Sequence, residues 1–209
     1  MPNSPRGRPV DPEKQQRQKS LILQAAQFLL MEKSYRLVTV RDIAQRAGVN
    51  SAMIRYYFEH KEGLFIALLD QMSDAHLGRM QQFLKAPDPL KAVVLGLIKM
   101  LSENSSFARM IHDEVLKDDS PFRDAFIERF PKRMAKILSG LIQQSLHIDD
   151  PLRAKYLAFN LISMIILPFI GEPVRKLAWQ ISDEELADPA WAEHIYSLFI
   201  NGCNQEQSK

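Results

Sequence analysis

The chain has 209 residues, of which 46% are hydrophobic and 25% charged, a composition typical of a globular protein with a sizeable core. Its single cysteine, Cys203, excludes an intramolecular disulfide framework and any multi-cysteine metal site. Residues 1–63 hold 11 Lys and Arg against 6 Asp and Glu, whereas the remainder is slightly acidic, which favours contact between the N-terminal part and a polyanion unless the small excess arises by chance.

In chain order, helical periodicity dominates and strand signals are almost absent. The first residues lack the apolar stretch of a signal peptide, so we expect a cytoplasmic chain. The longest apolar run, 161–170, falls short of a bilayer and predicts a buried helix rather than a membrane span. The predicted helices are 14–33, two short ones within 39–58, then 61–84, 89–103, 107–116, 121–146, 151–169 and 183–203.

The most informative segment is 39–58, which predicts two short helices around a tight turn. Thr39 can cap the first helix, with Asp42 completing a capping box. Gly48 supplies the positive φ that ends this helix, and Asn50 is a good N-cap for the second. The first helix has an apolar face formed by Val40, Ile43, Ala44 and Ala47.

On the second helix, Ile54 and Phe58 are four residues apart and are expected to face inward. Ser51 and Ala52 are small, so the backbone at the start of this helix can approach the edges of DNA bases. A helix, a glycine turn and a second helix with a small-residue opening fit a major groove. An ordinary helical hairpin is the alternative.

Segments 39–49, 56–58 and 61–65 together resemble the DNA-binding head of TetR-type transcriptional regulators, over about the first third of the chain. The sequence departs from the family at Ser34, where a glycine is usual and a strained turn is therefore expected, and at Arg55, where tyrosine is frequent. Arg55 could read guanine or hold a phosphate. The resemblance implies DNA contacts from Thr39, Arg41, Asn50, Ser51, Ala52, Met53, Arg55, Tyr56, Tyr57 and Lys61.

The N-terminal arm, residues 1–13, contains Arg6 and Arg8 in an Arg-Gly-Arg-Pro sequence. Such arms place arginines in narrow minor grooves. A solubilising tail is the alternative. The predicted domains are this arm, a helix-turn-helix domain at 14–64, and a ligand-binding and dimerisation domain at 65–209.

In TetR-like proteins the body holds a ligand pocket, and its last two long helices pair with a second subunit. Here the 151–169 helix is apolar nearly all round, so it must be covered on most sides. These two helices could build a four-helix interface, or they could pack inside one subunit. The residues predicted for the dimer interface are Phe159, Ile162, Ile166, Trp191, Ile195, Leu198 and Phe199.

Pro168 should end or kink its helix, and the kink could border a cavity. Methionine and phenylalanine side chains suit adaptable apolar sites, although core packing is the alternative for each. No polar anchor for a ligand is evident. The candidate pocket residues are Met100, Phe107, Met110, Phe126, Phe130, Met134, Met164 and Phe169.

The sequence offers no catalytic constellation, metal site or cofactor motif. Consecutive residues at 112–114 diverge around a helix and cannot converge on one ion. We therefore expect an all-α protein of about nine helices, with a three-helix head on a larger body. Its expected function is that of a dimeric repressor released from a palindromic operator by a small molecule. The alternative is a regulator without such a ligand, controlled by a partner protein or by abundance, or acting as an activator.

Overall fold

The computed structural model describes residues 11–103 and 123–206, and within those ranges it contains helices and turns but no strand. The chain divides into two compact units, the head (Met1–Leu68) and the body (Leu69–Lys209). The division falls inside a long helix, slightly beyond the boundary predicted after residue 64. The all-α expectation is confirmed.

The described residues form eleven α-helices and one short 3-10 turn, Tyr35–Leu37. Ten of these helices have ten residues or fewer or begin at a proline, which shows how often the chain is interrupted. The helices are α1 Pro12–Glu32, α2 Val40–Ala47, α3 Ser51–Phe58, α4 Lys61–Phe83, α5 Pro89–Glu103, α6 Arg123–Arg129, α7 Pro131–Leu146, α8 Pro151–Ile170, α9 Glu172–Ala178, α10 Asp183–Ala187 and α11 Pro189–Glu206.

The head is held together by the buried face of α1 packed against α2, which in turn packs against α3. Ile22, Ile43 and Ile54 are completely buried, one from each of these helices. Tyr35 and Phe65 add an edge-to-face ring contact at 4.8 Å. The expectation of a strained turn at Ser34 was wrong, because the φ of −61° and ψ of 153° at this residue are ordinary extended values.

The body is organised around α5, which packs against α7, α8, α10 and α11. Apolar side chains recur at helical spacing along α5, and they are buried from its first turn to its last. Helices α7 and α8 pack closely against each other, and α6 packs against α7. The buried α5 residues are Leu90, Val93, Val94, Leu97, Ile98 and Leu101.

Two predictions of long helices from periodicity were wrong, because each of these segments is divided into two helices at a proline. The 121–146 prediction splits at Phe130, after which Pro131 begins α7. The 183–203 prediction splits at Asp188, after which Pro189 begins α11. Proline disfavours helical backbone at the preceding residue but suits the first position of a new helix. Apolar periodicity continues across both breaks, so it did not reveal them.

Helix α8 continues past Pro168 and ends at Ile170. The backbone that follows α8 is held in place by hydrogen bonds from Arg175, whose side chain is only 7% exposed. Its Nε donates to the carbonyl of Pro168 at 2.8 Å, and its other nitrogens donate to the Ile181 carbonyl and to Asp183. The buried guanidinium thus satisfies carbonyls that lie beyond the helical hydrogen-bond pattern.

Within the described part of the chain, α8 is the one helix long and apolar enough to cross a membrane by length and composition. Its inner face packs in the body core through Ala154, Ala158, Leu161 and Ile165. Only 22% of its most apolar 18-residue window is buried, however. The expectation that this helix is covered on most sides is therefore not met within one subunit. Its exposed apolar side chains are Leu152, Tyr156, Phe159 and Leu167.

Candidate nucleic-acid interface and body cavity

The start of α2 is fixed by the predicted capping box. The Thr39 hydroxyl accepts from the Asp42 backbone N–H at 3.1 Å, and Asp42 Oδ2 accepts from the Thr39 N–H at 2.9 Å. Lys33, just after α1, donates from Nζ to the same Asp42 oxygen at 2.6 Å. The hydrogen bond from Lys33, followed by those from Thr39, lowers the Asp42 pKa from 3.8 to about 2. One carboxylate therefore caps α2 and links it to the end of α1.

The turn between α2 and α3 follows the sequence prediction closely. Gly48 has a φ of 66° and ψ of 31°, the left-handed conformation that ends α2. Asn50 caps α3, and its Oδ1 accepts from the Ala52 N–H at 2.9 Å. These local hydrogen bonds set the position of α3 relative to α2.

The turn between α3 and α4 is tighter than its sequence suggests. A Cβ atom on Gly63 would lie 2.3 Å from the carbonyl oxygen of Phe58, so only glycine fits there. Glu59 adopts a positive φ of 64° at the end of α3. His60 accepts from the Gly63 N–H through Nδ1 at 2.9 Å and so covers the first turn of α4. The glycine in segment 61–65 is therefore required because no larger side chain fits at that position.

An open cleft of about 800 Å³ lies over α2, α3 and the start of α4, entirely within the head. It brings together six of the residues predicted to contact DNA: Arg41, Ser51, Ala52, Arg55, Tyr56 and Lys61. Glu59 and His60 also line it and were not predicted. Both residues immediately precede Lys61, which begins α4, and this position in the sequence could have indicated that they lie in the cleft.

The two arginines of this cleft are not neutralised by the described residues. Arg41 and Arg55 are exposed, and neither guanidinium has an ion pair or hydrogen bond among the described residues. Tyr56 is 67% exposed beside them. Two free guanidiniums, an exposed phenol and the small side chains of Ser51 and Ala52 suit a phosphate backbone and base edges.

Two predicted contact residues already have partners inside the head. The Tyr57 hydroxyl donates to Gln18 Oε1 on α1 at 2.7 Å. Lys61 Nζ donates to the Tyr35 carbonyl at 2.7 Å and lies 3.9 Å from the centre of its ring. Both side chains therefore also hold the head together. Thr39 and Asn50 are exposed caps, Met53 is half-buried, and Arg6 and Arg8 lie outside the described residues.

The body contains a cavity of about 430 Å³ with an almost entirely apolar wall. Four predicted pocket residues line it: Met100, Phe126, Phe130 and Met134. The other four do not appear in its described wall. Met164 and Phe169 instead pack against the body core, and Phe107 and Met110 lie outside the described residues.

The cavity also has polar groups that the sequence reasoning missed, namely His76, Ser139 and Lys155. His76 lies on α4 and is only 9% exposed. Its spacing from Leu69, Ser73 and Met80, which are buried on the same helix, was the signal that places it inside.

The residues predicted for the dimer interface separate into three groups. Phe159, Ile162 and Ile166 line the cavity, and Phe159 is also 69% exposed. Ile195 and Phe199 are each only 5% exposed and pack within the core of the body, so they are not available to a second subunit. Trp191 is half-buried against that core, whereas Leu198 is 53% exposed.

No group of three or more His, Cys, Asp or Glu residues suited to a metal ion occurs in ranges 11–103 and 123–206.

Comparison with known proteins extends these observations. Residues 22–68 match the family model of bacterial regulatory proteins, tetR family. The chain is 30% identical to the uncharacterized HTH-type transcriptional regulator YvkB of Bacillus subtilis over 119 residues, 56% of this chain and 61% of that protein. It is 29% identical to the HTH-type transcriptional regulator TtgR of Pseudomonas putida over 129 residues, 60% of this chain and 61% of its relative. The matches thus span about three fifths of these relatives.

Solved structures share the fold over most of the chain. The transcriptional regulator FadR from Bacillus subtilis, in complex with stearoyl-CoA, superposes with a TM-score of 0.72 at 22% identity, covering 88% of this chain and 98% of that one. The fatty acid degradation regulator FadR from Bacillus halodurans gives 0.71 at 19% identity, covering 93% and 98%. Residues 22–68 therefore form a domain of the tetR type of bacterial regulatory proteins, and the relatives that the chain matches are transcriptional regulators rather than enzymes.

Proposed function

We propose that the chain is a dimeric, sequence-specific DNA-binding transcription regulator that acts in the cytoplasm. It represses genes until a small molecule releases it from a palindromic operator. The observation that carries the DNA-binding part is the cleft in the head. Arg41 and Arg55 lie there exposed and unpaired, beside a helix that begins with small residues.

Recognition follows from the placement of α3. Ser51 and Ala52 are exposed at its first turn, so the backbone can enter a major groove without a bulky side chain between it and the bases. Arg55, one turn further along, reaches a guanine or a phosphate, and Arg41 of α2 reaches the backbone. Lys61, already held by Tyr35, contributes a fixed positive charge at the edge of the cleft.

Pairing of two subunits is supported by the exposed apolar surface of the body. Helix α8 leaves Tyr156 62% exposed and Phe159 69% exposed, and α11 leaves Leu198 53% exposed. Large apolar surfaces of this kind are normally covered by a partner. A homodimer covers them and presents two α3 helices to half-sites about one DNA turn apart.

Ligand control is supported by the body cavity and by FadR, whose structure was solved with stearoyl-CoA. We infer that a mainly apolar small molecule occupies the cavity. Release of the operator requires that this molecule bind a body conformation with low DNA affinity more tightly than the DNA-bound one. Tight binding alone leaves operator affinity unchanged.

Selection of bound sequences from random double-stranded DNA tests the first part of the proposal. The purified full-length chain is expected to enrich a palindrome with half-sites about 10 base pairs apart. Arg55→Ala should weaken binding to the enriched DNA by about tenfold or more, since one base or phosphate contact is lost. The matched control is Arg46→Ala, because Arg46 of α2 lies 3.2 Å over the Phe28 ring, outside the cleft. Absence of enrichment, or equal loss in both variants, contradicts the proposal.

Sedimentation of the full-length chain tests the dimer. Tyr156→Glu combined with Leu198→Glu places two charges on the exposed apolar surface and should give a monomer with weakened operator binding. Leu37→Glu, at an equally exposed apolar position of the head, is the control and should remain dimeric. A wild-type monomer at micromolar concentration would contradict pairing.

Thermal-shift screening followed by operator-binding assays tests ligand control. We expect an apolar compound that raises the melting temperature and lowers operator affinity. Ala158→Leu fills part of the cavity, because Ala158 is 3% exposed and lines it, and should abolish both effects. Ala178→Leu, on the exposed surface of α9, should retain them. A wild-type protein that binds no compound favours regulation by a partner or by abundance.

A further inference from the structure

His76 is the most deeply buried polar group in the wall of the body cavity. Its side chain is 9% exposed on α4, and it has no hydrogen-bond partner among the described residues. The ring of Phe130 lies 6.3 Å from its ring at an angle of 52°. The cavity wall around it consists of aliphatic, aromatic and methionine side chains.

An imidazole in these surroundings keeps little contact with water, so a hydrogen bond to a molecule in the cavity would be favourable. Burial also lowers the pKa of His76, and the nearby positive charge of Arg79 acts in the same direction. Both effects favour the neutral imidazole over the charged form. The neutral form offers one donor and one acceptor nitrogen to a partner, but no charge.

The other polar groups of the wall differ from His76 in exposure. Lys155 is exposed and Ser139 is half-buried. An anionic head group would therefore be bound by Lys155, whose side chain is in contact with water. A neutral polar group buried among apolar side chains is best satisfied by His76.

We propose that His76 is the polar recognition group of the cavity, and that the cavity takes a neutral, mainly apolar molecule with one hydroxyl group that hydrogen bonds to the His76 ring. This inference rests on the ligand-binding part of the proposed function. It names the ligand class: an aromatic or alicyclic alcohol or phenol rather than a carboxylate or a phosphate ester.

The test uses two probes that differ by a single hydroxyl group, 2-naphthol and naphthalene, with the full-length chain. His76→Phe should weaken 2-naphthol binding about fivefold, the effect of one neutral hydrogen bond, and leave naphthalene binding unchanged or stronger. His76→Gln keeps a hydrogen-bonding side chain and should restore most of the 2-naphthol affinity. Operator binding of each variant provides the folding control.

The possible results separate the two proposals. Equal weakening of both probes by His76→Phe overturns the role of His76 while leaving a ligand cavity. Failure of the wild-type chain to bind either probe overturns the cavity as a ligand site, and the His76 proposal with it.

A crystal structure of the wild-type chain with 2-naphthol requires no variant. It should place the hydroxyl oxygen within about 3.2 Å of a His76 nitrogen. A hydroxyl group bound at Lys155 or Ser139 instead would overturn the proposal.

Discussion

The head and the body present opposite chemistry to their binding partners. In the head, Arg41 and Arg55 are charged, exposed and unpaired, and the cleft around them is open. In the body, the cavity is enclosed mainly by apolar side chains, and burial lowers the pKa of its buried polar group, His76. The first surface suits a polyanion in water, whereas the second suits a molecule that leaves water.

The two sites are also built over different lengths of chain. The head cleft uses residues 40–61, positioned by capping hydrogen bonds between residues two or three apart. The body cavity uses side chains from α4, α5, α6, α7 and α8. Local hydrogen bonds therefore fix the helix ends at the first site, whereas packing between five helices determines the geometry of the second. Substitutions in the head and in the body can therefore test the two sites separately.

The largest effect is expected from Ile54→Ala, which removes the completely buried side chain of α3. It should destabilise the head by about 3 kcal/mol and reduce operator binding accordingly, since α3 loses its anchor. Naphthalene binding by the body should be unchanged. Urea unfolding and the two binding assays measure these effects. Leu37→Ala, at a 66% exposed position, is the control and should change stability by less than about 0.5 kcal/mol. Loss of naphthalene binding in Ile54→Ala would contradict a body cavity that forms independently of the head.

In the body, Arg175→Met should cost about 2–3 kcal/mol, because the carbonyls of Pro168 and Ile181 lose their donor in a buried region. Urea unfolding followed by circular dichroism measures this loss. The neighbouring Lys176→Met breaks only exposed pairs with Glu172 and Asp183 and should cost less than about 1 kcal/mol. Similar losses in both variants would mean that the burial of Arg175 is unimportant.

A pair of glycine substitutions tests backbone conformation without steric contact. A Cβ atom would meet nothing within 4 Å at either Gly48 or Gly78. Gly48→Ala should nevertheless cost about 1 kcal/mol, because its φ of 66° is unfavourable for alanine. Gly78→Ala, inside α4 with an ordinary helical φ, should gain about 0.5–1 kcal/mol. Melting temperatures of the two variants should therefore shift in opposite directions, and a shared direction would contradict the assignment of the turn.

The smallest effect is expected in the pH dependence of the stability that Asp42 contributes as part of the α2 cap. Because the Asp42 pKa is about 2 in the folded chain and 3.8 is its ordinary value, the carboxylate stabilises the head above pH 3.8. This contribution is lost as the pH falls from 3.8 towards about 2. Urea midpoints of wild type and Asp42→Asn should differ by a constant amount above pH 3.8 and converge below it. A difference that grows with acidity would have the wrong sign.

The difference between local and long-range structure also explains what the sequence could predict. The Thr39 capping box, the Gly48 turn and the Asn50 cap were predicted residue by residue, because each depends on neighbours within four positions. The starts of α5 and α8 were also predicted, since each begins at a proline with an acidic residue before it. Steric exclusion at Gly63 could not be predicted, because it depends on the position of the Phe58 carbonyl.

In the body, composition indicated apolar helices but not which face of each turns inward. Met164 and Phe169 were expected in the cavity and pack elsewhere, whereas Ile162 and Ile166 were expected at an interface and line the cavity. A helix that is apolar nearly all round has no sequence signal for its inner face, so only packing against α5 and α7 decides it. His76 was overlooked because a single histidine among polar residues resembles a surface position.

The exposed apolar face of α8 has a consequence for gene dosage. If operator binding requires two subunits joined through this face, then at low abundance the occupied fraction of operators rises with the square of the subunit concentration. Halving the number of copies in a cell would then reduce occupancy by up to fourfold rather than twofold. A promoter under this control would respond to dilution by cell growth as a threshold, without any change in the effector.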